Sequence, residues 1–539
     1  MLPVKEYDHK WHSGLSTSKM WGHGGCFPGC TIEANYGEPI VIRQTNELPD
    51  NPTADYGIPQ VITHHHNFHS GSESDGGPWN MYDRRCVAEP NDQPWFRDHY
   101  FTMARAGFTN DAEYANYYTP SKRPSSKFAA DWAHYTKTAD KEYLAKYYDP
   151  SAGNWGDPAE TLNTLFYHSH RPDFTTSNVY KGQAGFFWIR DELDTGNELT
   201  GLKLPSGKYE LPLVCADKLF DANGQLFFDT FNLDGIIGDK PTVNGVIQPY
   251  LNVDCRRYRF RTLNTGPSRI IQYYLYNQTT NTWISNPFLQ IASDGNLLEK
   301  PVLRGFIQNS VAERYDVLVD FNRIAKPGHV LIMYNRCDQQ DGRLPTGKLM
   351  SPGIPMMKII VGAKPAIDPS FDYFTPAGLA STLRPMPIID MTKVAARRTF
   401  NFGRGGGSWT VNNKIFDPSM ASSQAMIKRN TAEIWTITNS SGGWVHPVHV
   451  HFEEGRMLTR NGVAPPVYER GRKDLYHLNT NEKVDIFFNF RDFPDPNYNP
   501  PNPAYKPEAG RYAMHCHNTV HEDHAMMCRW DIVNPATTV

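Results

Sequence analysis

The segment from Met514 to Met527 constrains this chain more than any other. Cys516 stands between His515 and His517, His521 follows five residues on, and Met526 five beyond that. Thiolate and thioether sulfur beside imidazole nitrogen is a donor set that suits copper. Cys516, His521 and Met526 therefore read as three ligands of a mononuclear blue-copper site. With residues 514–517 extended, side chains alternate across the strand, so His515 and His517 turn away from the face that Cys516 uses. Two metal sites can then meet across one short stretch of backbone. An electron received at Cys516 has a covalent path to metal held by its two neighbours, and the rest of the chain must supply the remaining ligands.

Histidines at alternate positions recur at His64 and His66 and again at His168 and His170. On a strand each such pair shares a face. His65 and His69 read as members of a solvated patch instead. In Trp444-Val445-His446-Pro447-Val448-His449-Val450-His451 the proline interrupts pairing, which lets His446 face elsewhere than His449 and His451. Together the four motifs hold ten histidines, one cysteine and one methionine. The count closes on four coppers. His446, Cys516, His521 and Met526 make the mononuclear site; His64, His66, His168, His170, His449, His451, His515 and His517 are eight imidazoles for three more.

The 539 residues exceed one compact domain and point to about three, since domains run ~100 to 200 residues. Apolar alternation punctuated by Gly, Pro and Asn marks strands at Glu38–Gln44, Val61–His66, Gly185–Ile189, Tyr258–Leu263, Tyr315–Phe321, Val330–Tyr334, Thr431–Thr438 and Val484–Phe490. Short strands separated by turns argue for an all-β protein of several Greek-key sandwich or barrel domains in series. Asn80 to Ala159 reads as a surface insertion, with a helix over Lys141 to Tyr148. Asp191 to Lys208 marks a boundary, and Ala363 to Met391 a linker. Between them lie no His-x-His and one histidine, His329, so the middle third reads as a metal-free spacer or wall. Phe402 to Trp409, glycine-rich without a dinucleotide fingerprint, reads as a hairpin turn. Cys26-Phe27-Pro28-Gly29-Cys30 reads as a small zinc or disulfide loop, or as unlinked thiols. Asn277-Gln278-Thr279 and Asn439-Ser440-Ser441 match glycosylation acceptors. A net charge of −3 argues against nucleic acid as a partner, and no apolar run is long enough to span a bilayer.

With these motifs assembled, the chain resembles the multicopper oxidases over nearly its whole length, and within them the bilirubin oxidases and bacterial spore-coat laccases. Ser74-Asp75-Gly76, Tyr258-Arg259-Phe260-Arg261, Ile291-Ala292-Ser293-Asp294-Gly295, Ala312-Glu313-Arg314-Tyr315-Asp316 and Gly443-Trp444-Val445-His446-Pro447 add to the likeness. The resemblance implies three cupredoxin-like domains, at 1–197, 198–370 and 371–539. The mononuclear (type 1) copper would lie in the third and a trinuclear cluster between the first and third. It puts the type 2 copper on His64 and His449, and the type 3 pair on His66, His168, His170, His451, His515 and His517. Asp75 and Glu522 match carboxylates that deliver protons to oxygen. The implied activity couples one-electron oxidation of a phenolic, aminophenolic or tetrapyrrole donor to four-electron reduction of dioxygen to water. The donor would dock near an exposed edge of His446 or His521.

Oxidation of Mn(II), Fe(II) or Cu(I) is the alternative, and a non-catalytic copper carrier a weaker one, because a carrier needs only the Cys516 site. A monomer is expected, and the resemblance favours a secreted, periplasmic or spore-coat location. Two departures from the family pattern stand out: Ser169 where aspartate is usual, and Asn67-Phe68 where glycine is usual. Both bear on the groups that orient the imidazoles.

Overall fold

All eight segments marked by apolar alternation are strands: Ile40–Glu47, Thr63–His66, Ala184–Arg190, Arg257–Asn264, Arg314–Asp320, Val330–Cys337, Thr431–Asn439 and Lys483–Phe490. They are seen in a computed structural model that describes every residue except 37, 50–55, 80–95, 102, 104, 106, 109–147, 150–153, 157–158, 418–422, 491–509 and 534–539. The expected helix at 141–148 lies outside the described residues but for Tyr148, which opens the strand Tyr148–Asp149. Val330–Cys337 alternates between half-buried and buried positions, as a strand with one face on a core does. Thr63–His66 and Thr164–Ser169 are buried at every position, so both of their faces are covered. Among the described residues the longest helix, Thr175–Tyr180, has six residues.

Among the described residues, six of the seven sheets form three packed pairs along the chain. In the first, Ser18–His23, Leu2–His9, Ile40–Glu47 and Phe96–Phe101 lie against Gly29–Asn35, Ala184–Arg190, Thr164–Ser169 and Thr63–His66. The second pair has Glu210–Phe220, Arg257–Asn264, Arg314–Asp320 and Phe288–Ser293 at the centre of one sheet, and Leu349–Val361, Val330–Cys337 and Ile271–Asn277 in the other. In the third, Val394–Gly405, Thr431–Asn439 and Lys483–Phe490 pack on Met527–Val533, Gly510–Cys516, His446–Val450 and Leu475–Leu478. Leu213, Val317, Ile271 and Leu331 share one core, and Phe402, Trp435, Val448 and Met514 another, so each draws on both of its sheets. This is the expected all-β, cupredoxin-like architecture.

Register aligns the histidine motifs. His64 pairs with His168 on neighbouring strands of one sheet of the first sandwich, and His449 pairs with His515 in the same way in the third, which also sets Val448 opposite Cys516. Directly opposed residues share a face, so each pairing gathers imidazoles that the sequence keeps far apart. The glycine-rich stretch turns a hairpin between Val394–Gly405 and Ser408–Val411, where Gly406 and Gly407 take φ of 60° and 87°. Asn277 and Asn439 are buried, and their amides are bonded internally, so neither is a glycan acceptor in this fold.

The middle third is more than a spacer. Arg259 and Arg261, fully buried, bind Asp194, Glu210 and Asp316, tying the second sandwich to the segment that leaves the first. Arg314 reaches Asp474 of the third sandwich, and Ser268 donates to Asn518 Oδ1 at 2.9 Å. These contacts bring the wall up to both histidine-bearing regions.

Candidate metal centre

His446 opens the strand His446–Val450 and Cys516 closes Gly510–Cys516 beside it. His521 sits in the short helix Thr519–Asp523, and Met526 immediately precedes Met527–Val533. Tight packing folds this last turn back, with the Cys516 amide donating to Met526 O at 3.0 Å. The Cys516 sulfur lies 3.3 Å from His446 Nδ1 and 3.6 Å from His521 Nδ1, and the two Nδ1 atoms are 3.2 Å apart. The outer nitrogen of His521 donates to Asp234 O at 3.1 Å, which leaves the inner one with a free lone pair. Burial lowers the pKa of both imidazoles, that of His521 to about 3, and raises that of the Cys516 thiol. Neutral nitrogens facing a sulfur in an apolar pocket, with Met526 wholly buried alongside, suit a soft cation.

The other eight imidazoles meet between the first and third sandwiches, none more than 3% exposed. They fall into a pair and two triplets. His64 Nε2 faces His449 Nε2 at 3.4 Å. His66 Nδ1 faces His168 Nε2 at 3.5 Å, with His517 in the same group. His515 Nε2 lies 3.3 Å from His170 Nε2 and 3.1 Å from His451 Nε2. Burial, then the neighbouring rings, hold His64, His449, His451 and His517 well below the ordinary histidine range. Lone pairs opposed at such distances repel unless a cation lies between them, so the donor set fits bound metal.

Outer nitrogens fix the ring orientations. His64 Nδ1 donates to Asp75 O at 2.6 Å and His449 Nδ1 to Asp474 O at 3.0 Å. His168 Nδ1 donates to Ser169 O at 2.8 Å, and His66 Nε2 to Asp474 Oδ1 at 3.0 Å. Asp75 Oδ2 accepts from His451 Nδ1 at 2.9 Å, and Glu522 Oε2 lies 3.1 Å from His515 Nδ1. Burial, then Glu73, raise the Asp75 carboxyl far above the usual range. At Glu522 burial acts the same way, but His515 and His170 outweigh it and bring the pKa to about 2.

The family model described as multicopper oxidase matches residues 383–535. A bilirubin oxidase of Albifimbria verrucaria is 27% identical over 98% of this chain and 76% of its own length. A laccase of Bacillus subtilis (strain 168) is 26% identical over 99% of this chain and 94% of its own. Residues 383–535 are a multicopper oxidase domain, and similarity to multicopper oxidases runs over nearly the whole chain. In fold the chain is similar to the 2F4 variant of the McoA multicopper oxidase from Aquifex aeolicus, at a TM-score of 0.72 and 21% identity over 98% of this chain and 95% of that one.

Multicopper oxidases bind four coppers, and this chain groups its histidines in clusters that could hold metal. Two sequence expectations change. His65 and His69 are buried, not solvated: His65 packs among Phe68, Phe101 and His99, and His69 Nε2 donates to Glu454 Oε2 at 3.0 Å. His446 and His521 have no exposed edge, both being wholly buried. Asp234, whose carbonyl meets His521, links that ring to Arg343 and Arg404 at the surface. Asn67, in place of glycine, takes a φ of 61°, a left-handed value that asparagine tolerates better than most residues, and its amide bonds Glu454. Ser169 Oγ accepts from Asn178 Nδ2 at 3.2 Å.

Sequence reading missed Asp474, Asp234 and Ser441, which donates to or accepts from His446 Nε2 at 2.8 Å. Asp474 sits in the charged run Arg472-Lys473-Asp474, which carried no signal of burial.

Proposed function

We propose that this multicopper oxidase couples oxidation of an aromatic, acidic organic donor to reduction of dioxygen to water. The reading assigns type 1 copper to His446, Cys516, His521 and Met526, and type 2 copper to His64 and His449. It assigns the two type 3 coppers to His66, His168 and His517, and to His170, His451 and His515, within domains at 1–197, 198–370 and 371–539. When bound, the coppers supply one-electron steps at the first site and dioxygen reduction at the cluster. The observation that carries the assignment is the grouping of eight buried imidazoles as one pair and two triplets, with Cys516 bonded through the backbone to His515 and His517.

The residues divide the remaining work. Cys516 gives electrons a covalent route, one peptide bond in each direction, to the cluster histidines. Asp75 and Glu522 hold carboxyl oxygens against His451 and His515, where a proton can be passed toward the cluster. Arg314 and Asp474 fix His66 and His449 from behind.

The surface over His521 favours the organic donor. Asp234, whose carbonyl accepts from His521, has its carboxylate bound by Arg343 at 2.5 Å and Arg404 at 3.1 Å. Both guanidiniums lie over Trp444, at 4.7 and 4.8 Å, and Trp409 stacks 4.0 Å from the His521 ring. Two cations against one carboxylate repel Mn(II) or Fe(II) and attract a carboxylate, while the exposed Phe231 and Leu233 offer apolar surface to a ring. A carboxylate-bearing tetrapyrrole such as bilirubin has the matching chemistry.

Metal analysis with an absorption spectrum should find four coppers and a strong band in the red. Oxygen uptake is then compared with a tetrapyrrole dicarboxylate, an uncharged phenol and Mn(II). Uptake sustained by Mn(II) better than by either organic donor would reject this donor class. Replacing both Arg343 and Arg404 with alanine should raise KM for the acidic donor about 3- to 10-fold, the scale of partly exposed charge pairs, and leave the uncharged phenol little changed. Met526→Leu should keep the red band and all four coppers while raising the potential measured by redox titration, because the Met526 thioether would be a weak ligand that tunes the bound metal.

A further inference from the structure

The loop between Ser18–His23 and Gly29–Asn35 carries Cys26, and Cys30 is the second residue of the strand that follows; nothing in the oxidase chemistry assigns either a task. Both sulfurs converge over one point: a Cβ on Gly24 would lie 3.1 Å from Cys30 Sγ and 3.9 Å from Cys26 Sγ. Burial, then the neighbouring Cys30, push the Cys26 thiol above its ordinary range. Cys30 is exposed and Cys26 half-buried, whereas Cys215, Cys255, Cys337, Cys516 and Cys528 are buried. The loop is held in shape. Gly24 and Gly25 take φ of 74° and 72°, Cys26 Sγ reaches His23 O at 3.6 Å, and Tyr167 donates to Cys30 O at 2.6 Å.

We propose that Cys26 and Cys30 form a two-coordinate surface site for Cu(I), separate from the histidine clusters. A pair of thiolates provides two soft donors, which Cu(I) accepts, whereas structural zinc takes four. Binding replaces the two S–H protons with two copper–sulfur bonds and changes no oxidation state. Through Tyr167 the loop is tied to the strand Thr164–Ser169, which carries His168, so the bound ion would sit behind the cluster and not at its donor surface.

The test is a Cu(I) competition titration on the copper-loaded protein, reduced and kept free of oxygen, with bicinchoninate as the coloured competitor. Wild type should withdraw one equivalent of Cu(I) more than the Cys26→Ser/Cys30→Ser variant, with added thiolate-to-copper absorption in the ultraviolet. Should the variant fold poorly, folded wild type alkylated with iodoacetamide at its exposed Cys30, verified by peptide mass, should lose the same equivalent. Equal withdrawal by wild type and by the variant or the alkylated protein overturns the proposal.

Discussion

Cys516→Ser should yield a colourless protein that binds one copper fewer and has lost oxygen uptake with every donor. The serine oxygen is a harder, weaker donor than thiolate and cannot give the sulfur-to-copper charge transfer that colours such sites. His446 and His521 would remain, 3.2 Å apart at their Nδ1 atoms, but with no sulfur between them and the strand that leads to His515 and His517. The eight cluster imidazoles lie in other contacts and should keep their copper. The replacement is nearly isosteric in a well-packed core, so thermal unfolding should move little. Copper analysis, the visible spectrum and oxygen uptake with a phenolic donor check the three parts together. A variant that stayed blue would remove Cys516 from the mononuclear site, and one that stayed colourless yet turned over would remove it from the electron route.

The second large effect is expected at Asp474, which has no place in any of the four histidine motifs. Its carboxylate accepts from His66 Nε2 at 3.0 Å and from Arg314 Nη1 at 2.9 Å, and its backbone carbonyl accepts from His449 Nδ1 at 3.0 Å. Asp474→Ala leaves Arg314 fully buried with Asp294, at 3.7 Å, as its nearest remaining carboxylate. Breaking a buried pair in this way costs about 3–5 kcal/mol. Loss of the group that orients His66 should also weaken copper retention by roughly 10- to 100-fold. Denaturant unfolding of the copper-free protein reads the first effect, and copper loss to a chelator reads the second. The double variant Arg314→Met/Asp474→Leu separates them, since it removes both charges together: stability should recover while copper retention stays weak. If Asp474→Ala matched wild type in both measurements, Asp474 would have neither role.

The sequence by itself marked eight of the strands and the twelve residues proposed as copper donors. Both follow from a period of two along an extended chain: alternation marks which face a side chain takes, and His-x-His or His-Cys-His states that face without reference to any partner. The interruption at Pro447 is local in the same way, and separates His446 from His449 and His451. Tertiary structure alone decided how the imidazoles group, because His64 and His449 meet across 385 residues and His170 and His515 across 345. It likewise chose Asp474 for His66, Arg314 for Asp474, and Asp234 with its two guanidiniums for the surface over His521. It also closed off the His446 and His521 edges that the sequence had left open to a donor. A lone Asp or Arg carries no periodicity, so its burial and its partner are set by which sheets pack together. Donor atoms repeat locally and can be read from the chain; the groups that orient them act across sheets, and only packing selects them.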